Sequence, residues 1–195
     1  KKPLVGIIPT GDEIVSPKAN PGKGEIIEFN STIFSSMLGT WGARSKVYPI
    51  VKDKKELLKN AIKTATKECD IVLVLAGSSA GRDDYTSTII EELGEVLFHG
   101  IAIKPGKPAV LGSVGNVPVV GLPGYPVSTI IIMEEIVKPL VDLYYQRPFE
   151  EEPTITAVLG KRVVSSLKYQ EYVRVSLGKV GDTLTAIPLN RGAGI

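Results

Sequence analysis

The chain has 195 residues, which is enough for one sizeable domain or for one domain with a small appendage. Its 23 basic and 21 acidic residues give a formal net charge of +2, which disfavours nucleic acid as a partner because binding a phosphate backbone needs a concentrated basic excess. The longest apolar runs, such as 129–133, are far too short to span a membrane. The single cysteine, Cys69, excludes an internal disulfide and favours a reducing cytoplasm.

Short apolar runs and helix-like segments alternate along the first 145 residues. The apolar runs predict strands at 4–8, 46–51, 71–75 and 117–122. Apolar residues at helical spacing predict helices at 31–41, 54–68, 86–93 and about 127–145. Asn30 is a suitable N-cap for the first helix, and Gly42 is suited to end it. The alternation predicts an α/β fold of three layers, with helices on both faces of a mostly parallel sheet.

The texture of the sequence changes after residue 145. Residues 146–153 contain two prolines and three consecutive glutamates, a composition typical of a linker. Short strands are then predicted at 155–159, 172–177 and 183–187, with a turn at 178–182. We therefore expect an α/β domain over 1–147 and a small all-β domain over 148–195, cut from a longer protein.

Polar loops follow the predicted strands at the sheet edge where ligands of doubly wound folds bind. The first loop contains Thr10, Gly11, Asp12 and Glu13. Its glycine lets the backbone turn, and its paired carboxylates suit a magnesium ion that bridges to phosphate. The alternative is a plain solvated turn, because Gly-Asp is a common turn pair.

The second loop lies between the third strand and its following helix. Small residues there offer backbone amides and hydroxyls to an anion at the helix start, namely Gly77, Ser78, Ser79 and Gly81. Asp84 could cap that helix or hold a cation beside the anion. The alternative is a turn of small residues selected only for packing.

A third loop and a proline-framed pair of lysines complete the predicted site. Gly121, Pro123 and Gly124 form a tight strand-to-helix turn, from which Ser128 could donate to a phosphate. A purely structural turn is the alternative for that loop. Before it lie Lys104 and Lys107, framed by Pro105, Gly106 and Pro108. Such a frame restricts the backbone, so less entropy is lost when the ammonium groups bind an anion.

Together, these segments predict one cavity for a phosphorylated, polyanionic small molecule with a divalent metal. At the same segments the sequence resembles the molybdopterin molybdenumtransferases, the molybdenum insertases that include the E domain of gephyrin. The matching stretches are PTGDEIV at 9–15, GEIIEFNS at 24–31, GRDDYTSTIIEELGEV at 81–96, AIKPGKPAVLG at 102–112 and GLPGYPVS at 121–128. The tail, with YQEYVRVSL at 169–177, resembles the small β-barrel domain that follows in this family.

The resemblance implies a reaction: the family binds adenylylated molybdopterin and molybdate, cleaves the adenylate with Mg²⁺, and leaves molybdenum on the dithiolene. On that basis Asp12, Glu13 and Asp84 would serve the metal, the molybdate or the water at the reacting centre. Lys104 and Lys107 would bind oxyanions and stabilise charge on the phosphoryl group. Ser128, with the turn at 121–124, would hold a phosphate. Asn30 would either orient the ligand or simply cap its helix.

The resemblance also implies a homodimer, and we expect the molybdopterin adenylyltransferase as a partner. Two positions depart from the family pattern. The segment 77–80 replaces a glycine pair and a valine, and Tyr125 replaces the usual asparagine before the last proline. Both changes add bulk to the expected pocket. They motivate one alternative, a non-catalytic sensor or scaffold that binds molybdopterin or molybdate. A second alternative is the adenylyltransferase that prepares the ligand, which the β segment after Pro153 disfavours because that enzyme resembles the α/β domain alone.

Overall fold

A six-stranded sheet with helices on both faces forms the centre of the molecule. The computed structural model describes residues 1–75, 85–148, 153–165 and 167–189. The strands of the first part are β1 (Leu4–Pro9), β2 (Ile14–Val15), β3 (Ile26–Ile27), β4 (Arg44–Val47), β5 (Ile71–Leu75), β6 (Glu95–His99), β7 (Ile103–Lys104), β8 (Val110–Val114) and β9 (Val117–Leu122). The helices are α1 (Asn30–Thr40), α2 (Lys55–Glu68), α3 (Tyr85–Leu93), α4 (Pro126–Ile132) and α5 (Lys138–Tyr144), and a π-helical turn, Met133–Val137, joins the last two.

The central sheet has the strand order β4-β1-β5-β9-β8-β6. The pairs β1–β4, β1–β5 and β5–β9 are parallel, which confirms the prediction of a largely parallel sheet. Strand β8 runs antiparallel to both neighbours, β9 and β6. The sequence analysis predicted neither β6 nor β8. Gly112 interrupts the apolar run of β8, and glycine is needed there because a Cβ would lie 2.4 Å from the Glu95 carbonyl oxygen of β6.

Each face of the sheet is covered by helices. On one face the odd-numbered side chains of β1 and β5, such as Ile7 and Leu73, pack against α1 and the α4–α5 segment. On the other face Ile8 and Val74 pack against α2 and α3. Fully burying one such side chain stabilises the fold by about 1.5–3 kcal/mol, so the double coverage explains why these strands are almost uninterruptedly apolar.

The first helix starts differently from the prediction. Asn30 is the first residue of α1, and Phe29 precedes it as the N-cap, so the assignment of Asn30 as the cap is wrong. The Glu28 carboxylate instead accepts hydrogen bonds from the Ser31 backbone N–H, at 2.8 Å, and from the Ser31 hydroxyl. The predicted ending is confirmed, because Gly42 follows the helix with φ +90°.

Prolines explain two further differences from the predicted elements. The strand predicted at 46–51 ends at Val47, because Pro49 has no N–H to continue a ladder. The long helix predicted at 127–145 changes to a π-helical turn before Pro139, which cannot donate to the Glu135 carbonyl four residues earlier. Among the helices of the described residues, none is long and apolar enough to cross a membrane.

The tail forms a smaller sheet and one strand that joins the larger part. Its strands are β10 (Val158–Leu159), β11 (Gln170–Glu171), β12 (Val175–Val180) and β13 (Thr183–Pro188). The order β10-β13-β12 makes a three-stranded sheet, with Gly181 at φ +60° in the β12–β13 turn. The strand predicted at 172–177 is therefore replaced by β11 and β12, and the predicted turn is shorter. The closed barrel and the domain boundary at 147/148 stay predictions.

Candidate functional site

The carboxyl ends of the parallel strands meet at one edge of the sheet. Ligands of open α/β sheets bind at this edge, and we call this the strand-end rule. Thr10 donates to the Leu75 carbonyl from both its backbone N–H and its hydroxyl, each at 2.9 Å. The Gly11 N–H donates to the Val51 carbonyl at 3.1 Å. Gly11 has φ +141°, and a Cβ there would lie 2.6 Å from Ile14 Cγ1, so this turn requires glycine. The hydroxyl hydrogen of Thr10 is thus used in the bond to the Leu75 carbonyl, so this hydrogen is not available to a ligand.

One cavity of about 170 Å³ opens at this edge, and we call it the acidic cavity. Its lining includes Thr10, Glu13, Asn30, Gly124 and Tyr125. The Asn30 Nδ2 donates to the Gly124 carbonyl at 3.1 Å, which joins the start of α1 to the turn after β9. Its Oδ1 is buried, and no partner for it exists among the described residues. A buried acceptor without a partner costs free energy, so Oδ1 is well placed for a ligand N–H.

Asp12 lies at the rim of this edge and contacts the segment after β4. Its Oδ1 accepts from the Asp53 N–H at 3.3 Å, and its backbone carbonyl accepts from Lys52 Nζ at 2.7 Å. Loss of hydration raises the pKa of Asp53, and the negative charges of Asp12 and Glu13 add to that rise, whereas a hydrogen bond from the Asp12 backbone opposes it. The described part of the chain contains no group of three acidic, histidine or cysteine side chains arranged to hold a metal ion.

A second cavity, of about 420 Å³, contains the proline-framed lysines, and we call it the lysine cavity. The predicted residues in its lining are Lys104, Pro105, Gly106, Lys107, Pro108 and Ser128. The tail adds Tyr169, Glu171 and Arg174 to the same lining. Three cations and one carboxylate therefore surround this cavity, which favours an anionic ligand.

The lysine loop is held in shape by its backbone. The Ile101 N–H donates to the Lys107 carbonyl at 2.9 Å, and the Ala109 N–H donates to the Gly106 carbonyl at 3.2 Å. Gly106 has φ +118°, and a Cβ there would lie 2.8 Å from Ile132 Cδ1. Glycine is therefore required between the two lysines, both by backbone conformation and by the close approach of α4.

The turn between β9 and α4 is fixed by a threonine that sequence reasoning missed. The buried Thr129 hydroxyl donates to the Pro123 carbonyl and is also 3.0 Å from the Tyr125 carbonyl. Gly121 lies inside β9, where a Cβ would lie 3.0 Å from Thr86 Cγ2. Gly121 and Pro123 line neither of the two cavities, and the same holds for Gly11 and Asp12.

The two cavities are neighbours along the turn that follows β9. Tyr125 and Pro126 line the acidic cavity, whereas Val127 and Ser128 line the lysine cavity. The predicted single cavity is thus divided between an acidic and a cationic half in the described residues. The remaining predicted site residues lie outside the described residues, namely Gly77, Ser78, Ser79, Gly81 and Asp84.

Three further residues near the site were not predicted, although the sequence contains a pattern that points to each of them. Asp53 follows the Val51 bridge to Thr10, so the strand-end rule applies to it as it does to Asp12. Tyr169 and Arg174 belong to the stretch YQEYVR, in which two tyrosines accompany two charged residues. Their place beside the lysines depends on a pairing between distant segments, which local patterns do not report.

Sequence similarity to known proteins identifies the family of the chain. A family model described as "Probable molybdopterin binding domain" matches residues 6–142. A protein of Methanocaldococcus jannaschii, named for molybdopterin biosynthesis, is 37% identical over 180 residues, which are 88% of this chain and 43% of that protein. The molybdopterin molybdenumtransferase of Haemophilus influenzae is 31% identical over 85% of this chain and 42% of its own length.

Solved structures agree with these relatives. Two structures of molybdopterin biosynthesis MoeA proteins from Pyrococcus horikoshii superpose with TM-scores of 0.81 and 0.78, at 36% and 26% identity. They cover 99% and 100% of this chain and 46% of each solved chain. The chain thus spans less than half the length of the relatives it matches. The matched model, the relatives and the ordered motifs together show that the chain belongs to the molybdopterin-binding domain family typified by the molybdopterin molybdenumtransferases.

Proposed function

We propose that this chain is part of an enzyme of molybdenum cofactor biosynthesis that inserts molybdate into adenylylated molybdopterin and releases AMP. The observation that carries the proposal is the lysine cavity, where Lys104, Lys107 and Arg174 face a common space with Ser128. Molybdate and the phosphoryl groups of the adenylate are both oxyanions, so the same cations suit both. The names of the relatives support this substrate class.

In the proposed reaction water cleaves a P–O bond of the phosphoric anhydride, which releases AMP and leaves the other phosphate on the pterin product. Two Mo–S bonds form to the dithiolene, and one molybdate oxygen leaves as water with the two thiol protons. Negative charge grows on the phosphoryl oxygens as that bond breaks. Preorganised cations in a partly enclosed site stabilise such charge, and removal of one such donor typically costs a factor of roughly 10²–10³ in rate. We assign this role to Lys104 and Lys107, and we assign binding of a phosphate oxygen to the Ser128 hydroxyl.

The acidic cavity would hold the neutral, nitrogen-rich part of the ligand. The Asn30 Oδ1 offers an acceptor, and the Glu13 carboxylate lines the same space. Tyr125, whose exposed fraction is 46%, supplies an aromatic surface at the rim. Pterin and adenine rings both carry N–H donors on a flat ring, so this lining suits either one.

The described residues do not by themselves fit a magnesium ion. The Asp12 carboxylate already accepts from the Asp53 N–H, and Lys52 brings a competing positive charge to the Asp12 carbonyl. We therefore derive no step through magnesium. Four expectations from the sequence stay predictions, namely magnesium, a homodimer, a partner adenylyltransferase and a cytoplasmic location.

The test is an AMP-release assay on the natural full-length protein, with adenylylated molybdopterin, magnesium and molybdate. We expect AMP release that depends on molybdate and falls roughly 10²–10³-fold in Lys107→Ala. Lys179→Ala, on the exposed strand β12, is the matched control and should keep full activity. A folded protein that releases no AMP would overturn the proposal.

A second function is favoured by one observation. Tyr125 adds an exposed aromatic side chain to the acidic cavity where the family has a smaller amide. A sensor or scaffold would bind molybdate or molybdopterin without turnover, so calorimetric binding with no AMP release would support it. Consumption of ATP in the absence of molybdate would instead support an adenylyltransferase.

A further inference from the structure

The tail strand β11 is hydrogen bonded directly to the strand that carries the first lysine. It pairs in parallel with β7, with Gln170 opposite Ile103 and Glu171 opposite Lys104. The Gln170 N–H donates to the Ala102 carbonyl at 2.8 Å, and the Tyr172 N–H donates to the Lys104 carbonyl at 2.9 Å. The tail thus borders the lysine loop with backbone contacts as well as side chains.

Two side-chain contacts keep β11 in this place. The Tyr172 hydroxyl is hydrogen bonded to the Glu135 carboxylate in the π-helical turn, and burial together with this bond raises the pKa of Tyr172 to about 12. The Glu171 Oε1 lies 4.0 Å from Lys104 Nζ, and only 7% of the Glu171 side chain is exposed. Burial of this carboxylate costs hydration, and the nearby Lys104 ammonium offsets part of that cost in the docked arrangement.

The second lysine contacts the tail through an aromatic ring. Lys107 Nζ lies 5.8 Å from the centroid of the Tyr169 ring, which is within the range of a cation–π interaction. A ring attracts the ammonium group but carries no net charge. The ring therefore does not offset the positive charge of Lys107, whereas the Glu171 carboxylate offsets part of that of Lys104.

We infer that Tyr169 is a positioning residue that holds the Lys107 ammonium at the lysine cavity, so that the tail completes the oxyanion site. This inference rests on the proposed function for the identity of the anion. It assigns the tail a role in binding, in addition to any role in stability. The ring, and not the phenolic hydroxyl, carries the effect.

The test compares Tyr169→Leu with Tyr169→Phe in the natural full-length protein. Because cation–π contacts at exposed sites are modest, we expect molybdate and inorganic phosphate to bind roughly 2- to 5-fold more weakly to Tyr169→Leu. Tyr169→Phe should retain the wild-type affinity, since phenylalanine offers the same kind of ring. Tyr144→Leu is the matched control for loss of a tyrosine, because the Tyr144 ring packs on Tyr145.

A double-mutant cycle separates positioning from a general effect on folding. In the Lys107→Ala background, Tyr169→Leu should have no further effect on anion affinity. An equal loss in both backgrounds would overturn the inference, because the tyrosine would then act without the lysine.

A second readout needs no ligand. The ring should displace the proton resonances of the Lys107 ε-methylene upfield, and this displacement should persist in Tyr169→Phe and vanish in Tyr169→Leu. No displacement in the wild type would overturn the inference. A displacement in a protein that binds neither molybdate nor phosphate would leave the contact in place and overturn the proposed function instead.

Discussion

The acidic cavity and the lysine cavity differ in how the chain builds them. The acidic cavity is lined mainly by residues that follow strands of the central sheet or start the helices beside it, such as Thr10, Asn30 and Gly124, and the short β2–β3 pair adds its isoleucines. The lysine cavity is lined by a loop outside that sheet and by a tail strand from the other end of the chain. The first is therefore a product of sheet topology, whereas the second depends on docking of the tail.

The two cavities also differ in how firmly the residues that line them are held in place. Residues at a sheet edge are held by ladders that the core also needs, so their positions vary little without loss of the fold. Strand β11 is paired with β7 over only two residues, so we expect this segment to open at a lower free energy than the strands of the central sheet. Local opening of such a segment is the motion we expect first, and it would affect the lysine cavity alone.

Gly106→Ala should have the largest effect and should act on the lysine cavity. The substituted residue would have to adopt φ +118° with its Cβ 2.8 Å from Ile132 Cδ1. Strain and overpacking together should lower the free energy of unfolding by about 3 kcal/mol and weaken molybdate binding. Urea denaturation and calorimetry measure the two effects. Gly178→Ala, where a Cβ has open space, should leave both unchanged.

Thr129→Val should disturb both cavities, because its hydroxyl fixes the turn between them. The change keeps the shape of the buried side chain but leaves the Pro123 and Tyr125 carbonyls without this donor. We expect a loss of about 1–2 kcal/mol in the free energy of unfolding. Thr64→Val is the matched control, since that hydroxyl bonds the Asn60 carbonyl on an exposed helix face. Equal effects of the two changes would contradict the role given to Thr129.

Asn30→Ala should act on the acidic cavity and spare the lysine cavity. The substitution removes the bond to the Gly124 carbonyl and also the buried, unpartnered Oδ1, so the two effects on stability oppose each other. The free energy of unfolding should change by less than about 1 kcal/mol, while affinity for adenylylated molybdopterin falls roughly fivefold. Affinity for molybdate alone should stay constant. A parallel loss for both ligands would show that the two cavities are not separate.

Glu92→Gln should have the smallest effect and should spare both cavities. Glu92 on α3 contacts Lys55 and Lys59 of α2, each at 2.5 Å, and these bonds lower the pKa of Glu92 to about 2. Because the folded-state pKa is lowered, the stabilisation is complete above about pH 4.5 and is lost as the pH falls towards 2. The urea midpoints of wild type and variant should therefore differ at pH 6 and converge near pH 2.

Glu91→Gln is the matched control for this pH series. A difference that persists at pH 2, or a change in molybdate affinity, would contradict the assignment.

The sequence predicts the acidic half of the site better than the cationic half. Ile71–Leu75 is almost wholly apolar and lies buried as predicted, and parallel pairing then brings its end to Thr10. The strand-end rule needs only that local pattern. The wall formed by Tyr169 and Glu171 depends on a two-residue strand, which has too little periodicity to be recognised.

Prediction also failed where a side chain had two possible uses. Asparagine is a residue type that often caps helices, yet the Asn30 Nδ2 donates a hydrogen bond to the Gly124 carbonyl, far away in the sequence. Cap rules consider only neighbours in sequence, so they cannot weigh a tertiary partner against a local one. The same limit applies to Thr129, whose importance depends on the turn that precedes its helix.

The π-helical turn at Met133–Val137 determines which side chains of α5 face the sheet, because it changes their angle around the helix axis. Such a turn contains one residue more than an α-helix of equal length, and one residue corresponds to about 100° around the axis. Deleting a single residue there would restore regular winding and would swing the buried Val141 away from the sheet. Deletion of Glu134, which precedes Glu135, would also move the Glu135 carboxylate away from the Tyr172 hydroxyl. The π-helical turn thus links the orientation of the last helix to the docking of the tail.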